Sequence, residues 1–162
     1  MEDKIKLLIC DDEVQFLESI AKRLEMRGFD VTKASRGADA VEAARQGKFD
    51  LALLDLKMPG MNGLEVLEIL KNEHKFLEVI ILTGHGSIDT AVESTKQGAF
   101  SYLSKPYELE KLLEVLKDAY ETRMRKKFES DQDRLQDIMK MAQTMSPLGF
   151  LREMKKMDTD EK

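Results

Sequence analysis

Between residues 5 and 127 the chain alternates short apolar runs with longer segments of helical periodicity, and this alternation admits few folds. The runs Ile5 to Cys10, Asp30 to Ala34, Asp50 to Asp55, Glu78 to Thr83 and Phe100 to Ser104 read as five strands. Each is short and mostly apolar, as strands covered on both faces must be. A helical segment follows each run. In the first, about Val14 to Met26, Val14, Leu17, Ile20, Ala21 and Leu24 form one stripe, and Gly28 is placed to end it. Gly47 and Gly98 stand just past later helical segments, while Asn62-Gly63 and Ser87 stand just before others. Right-handed crossovers between parallel strands then predict an α/β fold, a five-stranded parallel doubly wound sheet in the order 2-1-3-4-5, followed by a C-terminal helical extension.

In such sheets the functional site lies beyond the carboxyl ends of the strands. Here those ends carry Asp11-Asp12-Glu13, Asp55, Thr83 and Ser104-Lys105-Pro106. An aspartate ending a strand is often no more than a turn or cap residue. Several converging on one edge are another matter, because two like charges about 4 Å apart repel by about 4 kcal/mol at an effective dielectric near 20. Such a cluster calls for a cation. Carboxylate oxygens without cysteine or clustered histidine suit Mg²⁺, with Asp12 and Asp55 as first-choice ligands. The Lys105 ammonium offers a point charge for a phosphoryl oxygen, and the Thr83 hydroxyl a further donor. Cys10, the single cysteine, lies within an apolar run and is expected to be a buried, inert thiol.

Taken together, Asp11-Asp12, Asp55 in the stretch D-L-K-M-P-G-M-N-G, Thr83-Gly84, and Lys105-Pro106 preceded by Tyr102 strongly resemble the response-regulator receiver family over roughly residues 4 to 120. The stretch from Leu82 to Pro106 looks most like receivers of the nitrogen-regulator type, which in full-length relatives precede an ATPase and a DNA-binding domain. No Walker-type phosphate loop appears, and the residues after 120 are too few for a helix-turn-helix domain with its own core, so a single-domain regulator is expected.

The resemblance implies a two-component phosphorelay in which a sensor histidine kinase or phosphotransfer protein donates a phosphoryl group to Asp55. It further implies Mg²⁺ held by Asp12, Asp55 and the backbone carbonyl of Lys57, with Asp11 acting through a metal-bound water and Lys105 clamping the phosphoryl group from the other side. Thr83 and Tyr102 would be the switch pair, Lys105-Pro106 a cis peptide, and the fourth helix, fifth strand and start of the fifth helix the face read by a downstream protein. Such a protein catalyses its own phosphorylation and dephosphorylation without being a conventional turnover enzyme. Lys57, His74 and His85 are expected to be solvated.

Two other classes share parts of the pattern. A haloacid-dehalogenase-type phosphatase needs a second acid two residues after its nucleophile, where this chain has Lys57. A flavodoxin-like FMN carrier cradles a phosphate in its first loop, which Asp11-Asp12-Glu13 would repel. The net charge of −5 disfavours nucleic acid as a partner. No apolar run is long enough for a membrane span, and the opening Met1-Glu2-Asp3-Lys4 does not resemble a secretory signal, so a cytoplasmic location is expected.

The expected domains are a receiver over residues 1–127 and a helical tail over 128–162. In the tail, Ser130 and Asp133 have the spacing of a capping box, and Leu135, Ile138, Met139, Ala142 and Met145 recur at helical spacing. Pro147 and Gly149 punctuate the chain before a second short amphipathic segment carrying Phe150, Leu151, Met154 and Met157. Six of the ten methionines lie after residue 120, a composition suited either to packing on the receiver or to an adaptable surface for a partner, a second copy or the receiver's own output face.

Overall fold

Apolar side chains line both faces of the central strands, and burial sorts the five by position. In the computed structural model, which describes residues 4–84 and 88–160, β3 (Leu51–Leu54) and β4 (Glu78–Thr83) are buried throughout. β1 (Ile5–Cys10) is buried at every residue but Lys6, while β2 (Phe29–Ala34) and β5 (Ser101–Ser104) are more open. The open pair form the edges: the sheet order is β2-β1-β3-β4-β5, every pairing parallel. β3 is shorter than its apolar run predicts. Its flanks nonetheless stay hydrogen-bonded to the neighbouring strand, since the Asp50 amide donates to the Lys6 carbonyl at 2.9 Å and the Asp55 amide to the Cys10 carbonyl at 3.0 Å.

The helices are α1 (Val14–Glu25), α2 (Gly37–Gln46), α3 (Gly63–Glu73), α4 (Ile88–Lys96) and α5 (Leu109–Lys127). α1 and α5 cover one face of the sheet, α2 and α3 the other, and α4 packs along β5. α1 buries Leu17, Ile20, Ala21 and Leu24 as its stripe predicts. Val14 does not follow the stripe: it is 58% exposed, because the first turn of the helix lies past the carboxyl edge of the sheet. Gly28 turns the chain from α1 into β2 at φ +96°, a conformation that a side chain would strain. Asn62 caps α3, its side chain accepting from the Glu65 amide at 3.0 Å. Ser87, expected to start α4, and His85 fall outside the described residues.

Two further helices follow, α6 (Gln132–Thr144) and α7 (Pro147–Asp160). The cap of α6 is Asp131 and not Ser130, its side chain accepting from the Arg134 amide at 3.1 Å. Pro147 is the first residue of α7, where its missing N–H costs nothing, and the Ser146 hydroxyl accepts from the Gly149 amide at 3.1 Å, so Gly149 sits within the first turn and does not break the chain. Ile138, Phe150, Leu151 and Met154 are buried in the core shared with α1 and α5. Met139 instead faces outward at 44% exposure, and Met141 takes its place against the core. Lys117 on α5 donates to the carbonyls of Ala142 and Met145, closing the carboxyl end of α6.

α7 docks at the amino edge of the sheet through a buried charge network. Asp158 accepts from Tyr120, from Lys127, and from Arg123 Nε at 2.9 Å. Arg123 also reaches the Phe76 carbonyl at 2.8 Å and Asp50 at 3.3 Å, and Asp50 in turn takes the Lys155 ammonium at 2.9 Å and the Lys6 amide at 2.9 Å. Burial pushes the Asp158 carboxyl up, but the Arg123 guanidinium and the hydrogen bonds from Lys127, Tyr120 and Arg123 outweigh it and hold the group below the ordinary aspartate value of 3.8. A carboxyl lowered on folding stabilises the fold above its unfolded value, and that contribution fades as pH falls through the lowered one. Wild type and Asp158→Asn should therefore differ in urea midpoint near pH 6 and converge as the medium is acidified below pH 3.8. A gap unchanged by acid would refute this role for the carboxylate.

Candidate functional site

Strand pairing brings the polar residues of the carboxyl edge together. Asp11 and Asp55 each follow the last residue of a central strand, and both remain tied to the sheet: the Asp11 amide donates to the Ala34 carbonyl at 3.0 Å and the Asp55 amide to the Cys10 carbonyl at 3.0 Å. Lys105, just past β5, is fixed in the same way by its amide and the Thr83 carbonyl at 3.0 Å. Carboxylate oxygens of Asp11, Asp12 and Asp55 lie within 4.8 Å of one another. Asp11 and Asp55 are buried and Asp12 is exposed, so the cluster opens to solvent on one side only.

The Lys105 ammonium is the cation within this group. It donates to Asp11 Oδ2 at 2.5 Å and Glu13 Oε1 at 3.2 Å, and stands 3.7 Å from Asp55 Oδ2. Asp11 Oδ1 accepts from the Glu13 amide at 2.9 Å. Burial raises the Asp11 carboxyl, outweighing the Lys105 hydrogen bond that lowers it. Burial lowers Lys105, but its hydrogen bond to Asp11 and the surrounding carboxylates outweigh that and raise it, so the ammonium stays charged. Asp55 is less supported. Its Oδ1 receives only a long contact of 3.4 Å from the Lys57 amide, and its Oδ2 is buried without a hydrogen-bond partner among the described residues.

A buried, unsatisfied carboxylate oxygen beside two further carboxylates suits a hard divalent cation, and among the described residues no sulfur or imidazole joins the cluster. Cys10 lies beneath the site, but its thiol is pushed up to about 12 by burial and then by Asp11 and Asp55, which leaves it inert.

Thr83 is fully buried at the end of β4. Tyr102 on β5 is partly buried against the α2/α3 core, its hydroxyl enclosed without a hydrogen-bond partner among the described residues. The Lys105-Pro106 peptide is cis. Lys57 is exposed, whereas His74 is half-buried, its Nε2 enclosed without a hydrogen-bond partner among the described residues, because its backbone ends α3 against the start of β4. Two neighbours of Lys105 have no role assigned from the sequence, although Glu13 is placed at this edge. Glu13 pairs with the ammonium, and the ring of Phe16 lies 4.0 Å from it. Phe16 does not belong to the apolar stripe of α1, and an aromatic off the stripe in the turn after an acidic loop was the available signal.

Beneath the site the backbone is close-packed. A Cβ built on Gly63 would meet the Asp55 carbonyl oxygen at 2.3 Å and Leu56 Cα at 2.5 Å, both main-chain atoms. Gly63→Ala should cost about 1–3 kcal/mol in urea unfolding, as overpacking does elsewhere. An unchanged midpoint would show that this contact relaxes freely.

The family model described as the response regulator receiver domain matches residues 7–117. The transcriptional regulatory protein ZraR of Klebsiella oxytoca is 36% identical over 117 residues, covering 72% of this chain and 26% of that protein. The chain thus spans about a quarter of the length of the curated relatives it matches. Among solved structures, a CheY-like receiver domain protein from Methanospirillum hungatei aligns with TM-score 0.74 and 31% identity, covering 76% of this chain and 99% of that one. A response regulator from Burkholderia pseudomallei, solved with a phosphorylated aspartic acid, a calcium ion and citrate, aligns with TM-score 0.68 and 34% identity over 78% of this chain and 75% of that one.

Proposed function

The chain belongs to the response regulator receiver domain family, whose members are phosphorylated on an aspartate, and from that premise we propose that Asp55 is the acceptor in this protein. The observation that carries the assignment is the buried Oδ2 of Asp55, which lies beside two further aspartates and 3.7 Å from the Lys105 ammonium and has no hydrogen-bond partner among the described residues. An oxygen without a hydrogen bond retains its nucleophilic lone pairs. It would attack the phosphorus of a phosphohistidine on a sensor histidine kinase or phosphotransfer protein, breaking the P–N bond and forming an acyl phosphate.

Asp12, Asp55 and the Lys57 carbonyl would hold Mg²⁺, with Asp11 contacting a bound water. The ion, when bound, supplies positive charge to the phosphoryl oxygens. Lys105 would exchange part of its present pairing with Asp11 and Glu13 for a phosphoryl oxygen. The Thr83 hydroxyl would donate to another, and Tyr102, whose enclosed hydroxyl has no hydrogen-bond partner among the described residues, would answer the movement of Thr83. Output would pass through α4, β5 and the start of α5 to a downstream protein target or a second copy of the chain. The net charge favours a protein over nucleic acid as that target. Among the described residues no helix is long and apolar enough to cross a membrane.

Residues 1–127 would form the receiver and 128–162 a tail, whose helices α6 and α7 dock on α5 and the amino edge of the sheet, at the opposite end from Asp55. That position supports a bracing role for the tail more than a place on the output face.

The test is the intact mass of the protein after incubation with acetyl phosphate, with and without Mg²⁺. One added phosphoryl group that depends on the metal supports the proposal. No adduct under conditions that exclude rapid hydrolysis refutes it.

A further inference from the structure

Lys105 is surrounded on its polar side by Asp11, Glu13 and Asp55, and on the remaining side by a ring. The Phe16 centroid lies 4.0 Å from the ammonium, and Tyr107 meets that ring edge-on, with centroids 6.2 Å apart and planes at 78°. Phe16 and Tyr107 are both partly buried against the α1/α5 core, and the Phe16 ring lies under the cation.

We infer that Phe16 is a positioning residue for phosphoryl transfer, its ring face holding the Lys105 ammonium as the ammonium changes partners. This rests on the proposal that Asp55 accepts the phosphoryl group and Lys105 clamps it. A lysine ammonium is a mobile charge on a flexible four-carbon stem, and here two carboxylates, Asp11 and Glu13, compete for it with the incoming phosphoryl group. Hydrogen bonds to either carboxylate are directional and break when the ammonium moves. Attraction to the face of an aromatic ring depends on distance from the centroid and persists while the ammonium slides a short way across it. The ring thus supports the cation in both arrangements and shields one side of it from water. Leucine would fill the volume without the electrostatic face. Tryptophan has a stronger one.

The experiment compares wild type, Phe16→Leu and Phe16→Trp for the rate of phosphorylation by acetyl phosphate as a function of donor concentration. Mg²⁺ affinity is measured by calorimetry and the thermal midpoint by circular dichroism. Phe16→Leu should lower the saturating rate about 3- to 10-fold with unchanged Mg²⁺ affinity, and Phe16→Trp should restore it to within about 2-fold of wild type. A merely structural role would make the larger tryptophan as harmful as leucine, with rate loss following the thermal midpoint; that result, or a normal rate in Phe16→Leu, overturns the inference. If wild type itself takes up no phosphoryl group, the reading of Asp55 fails first and this one with it.

Discussion

Asp55→Ala should take up no phosphoryl group from acetyl phosphate at any Mg²⁺ concentration, while wild type gains one. The loss should exceed about 100-fold, because the nucleophile itself is removed and neither neighbouring aspartate is placed to replace it. Asp11 Oδ2 is held by Lys105 at 2.5 Å and Oδ1 by the Glu13 amide at 2.9 Å, so both of its oxygens are engaged. Asp12 is exposed, in water and away from the enclosed end of the pocket. Of the three, Asp55 alone combines burial with an oxygen that has no hydrogen-bond partner among the described residues. The variant should remain folded, since removing one of three crowded carboxylates relieves repulsion. Intact-mass spectra with thermal unfolding on the same samples separate loss of chemistry from loss of fold. A full adduct on the variant would place the acceptor elsewhere.

Asp158→Ala should be the most damaging change distant from the site, costing about 3–5 kcal/mol in urea unfolding. Asp158 is 5% exposed and gathers Tyr120, Arg123 and Lys127 on one carboxylate. Its removal leaves the Tyr120 hydroxyl, itself fully buried, without an acceptor, and the Lys127 ammonium without its anion. Arg123 fares better because Asp50 and the Phe76 carbonyl remain. Breaking one partner of a buried ion network is costly because the others stay buried and unpaired. The loosened α7 should also expose the segment from 128 to 147 to protease. A shift below about 1 kcal/mol would show that the network rearranges around the gap.

The parallel sheet and its edge chemistry could be read from the sequence because both follow from local rules. A strand buried on both faces must be apolar throughout, and the polar residue that ends it marks the carboxyl edge, which is how Asp11, Asp55, Thr83 and Lys105 are found. What escaped depended on packing between distant segments. Phe16 has meaning only once Lys105 is known to stand over it. Lys155 reads as one more tail lysine until α7 carries it to Asp50. Asp131 and Ser130 are equally plausible caps by composition, and only the path of the chain into α6 selects one. Pro147 signals a break in sequence, yet a helix tolerates proline at its first position, so the same residue began α7. Met139 sits at the margin of the α6 stripe, and periodicity alone does not say that Met141, on the other margin, is the one turned toward the core.

Asp55, Asp11 and Lys105 each hang one residue beyond a strand, pinned by a main-chain bond to the adjacent one. Their mutual spacing is therefore a property of the sheet's pleat and not of the loops around them. The 58–61 turn could be shortened, lengthened or recoded while those atoms kept their places. In a lineage of such proteins the phosphoryl chemistry and the choice of partner can drift apart, the first held rigid by the ladder and the second written in segments that the ladder does not constrain.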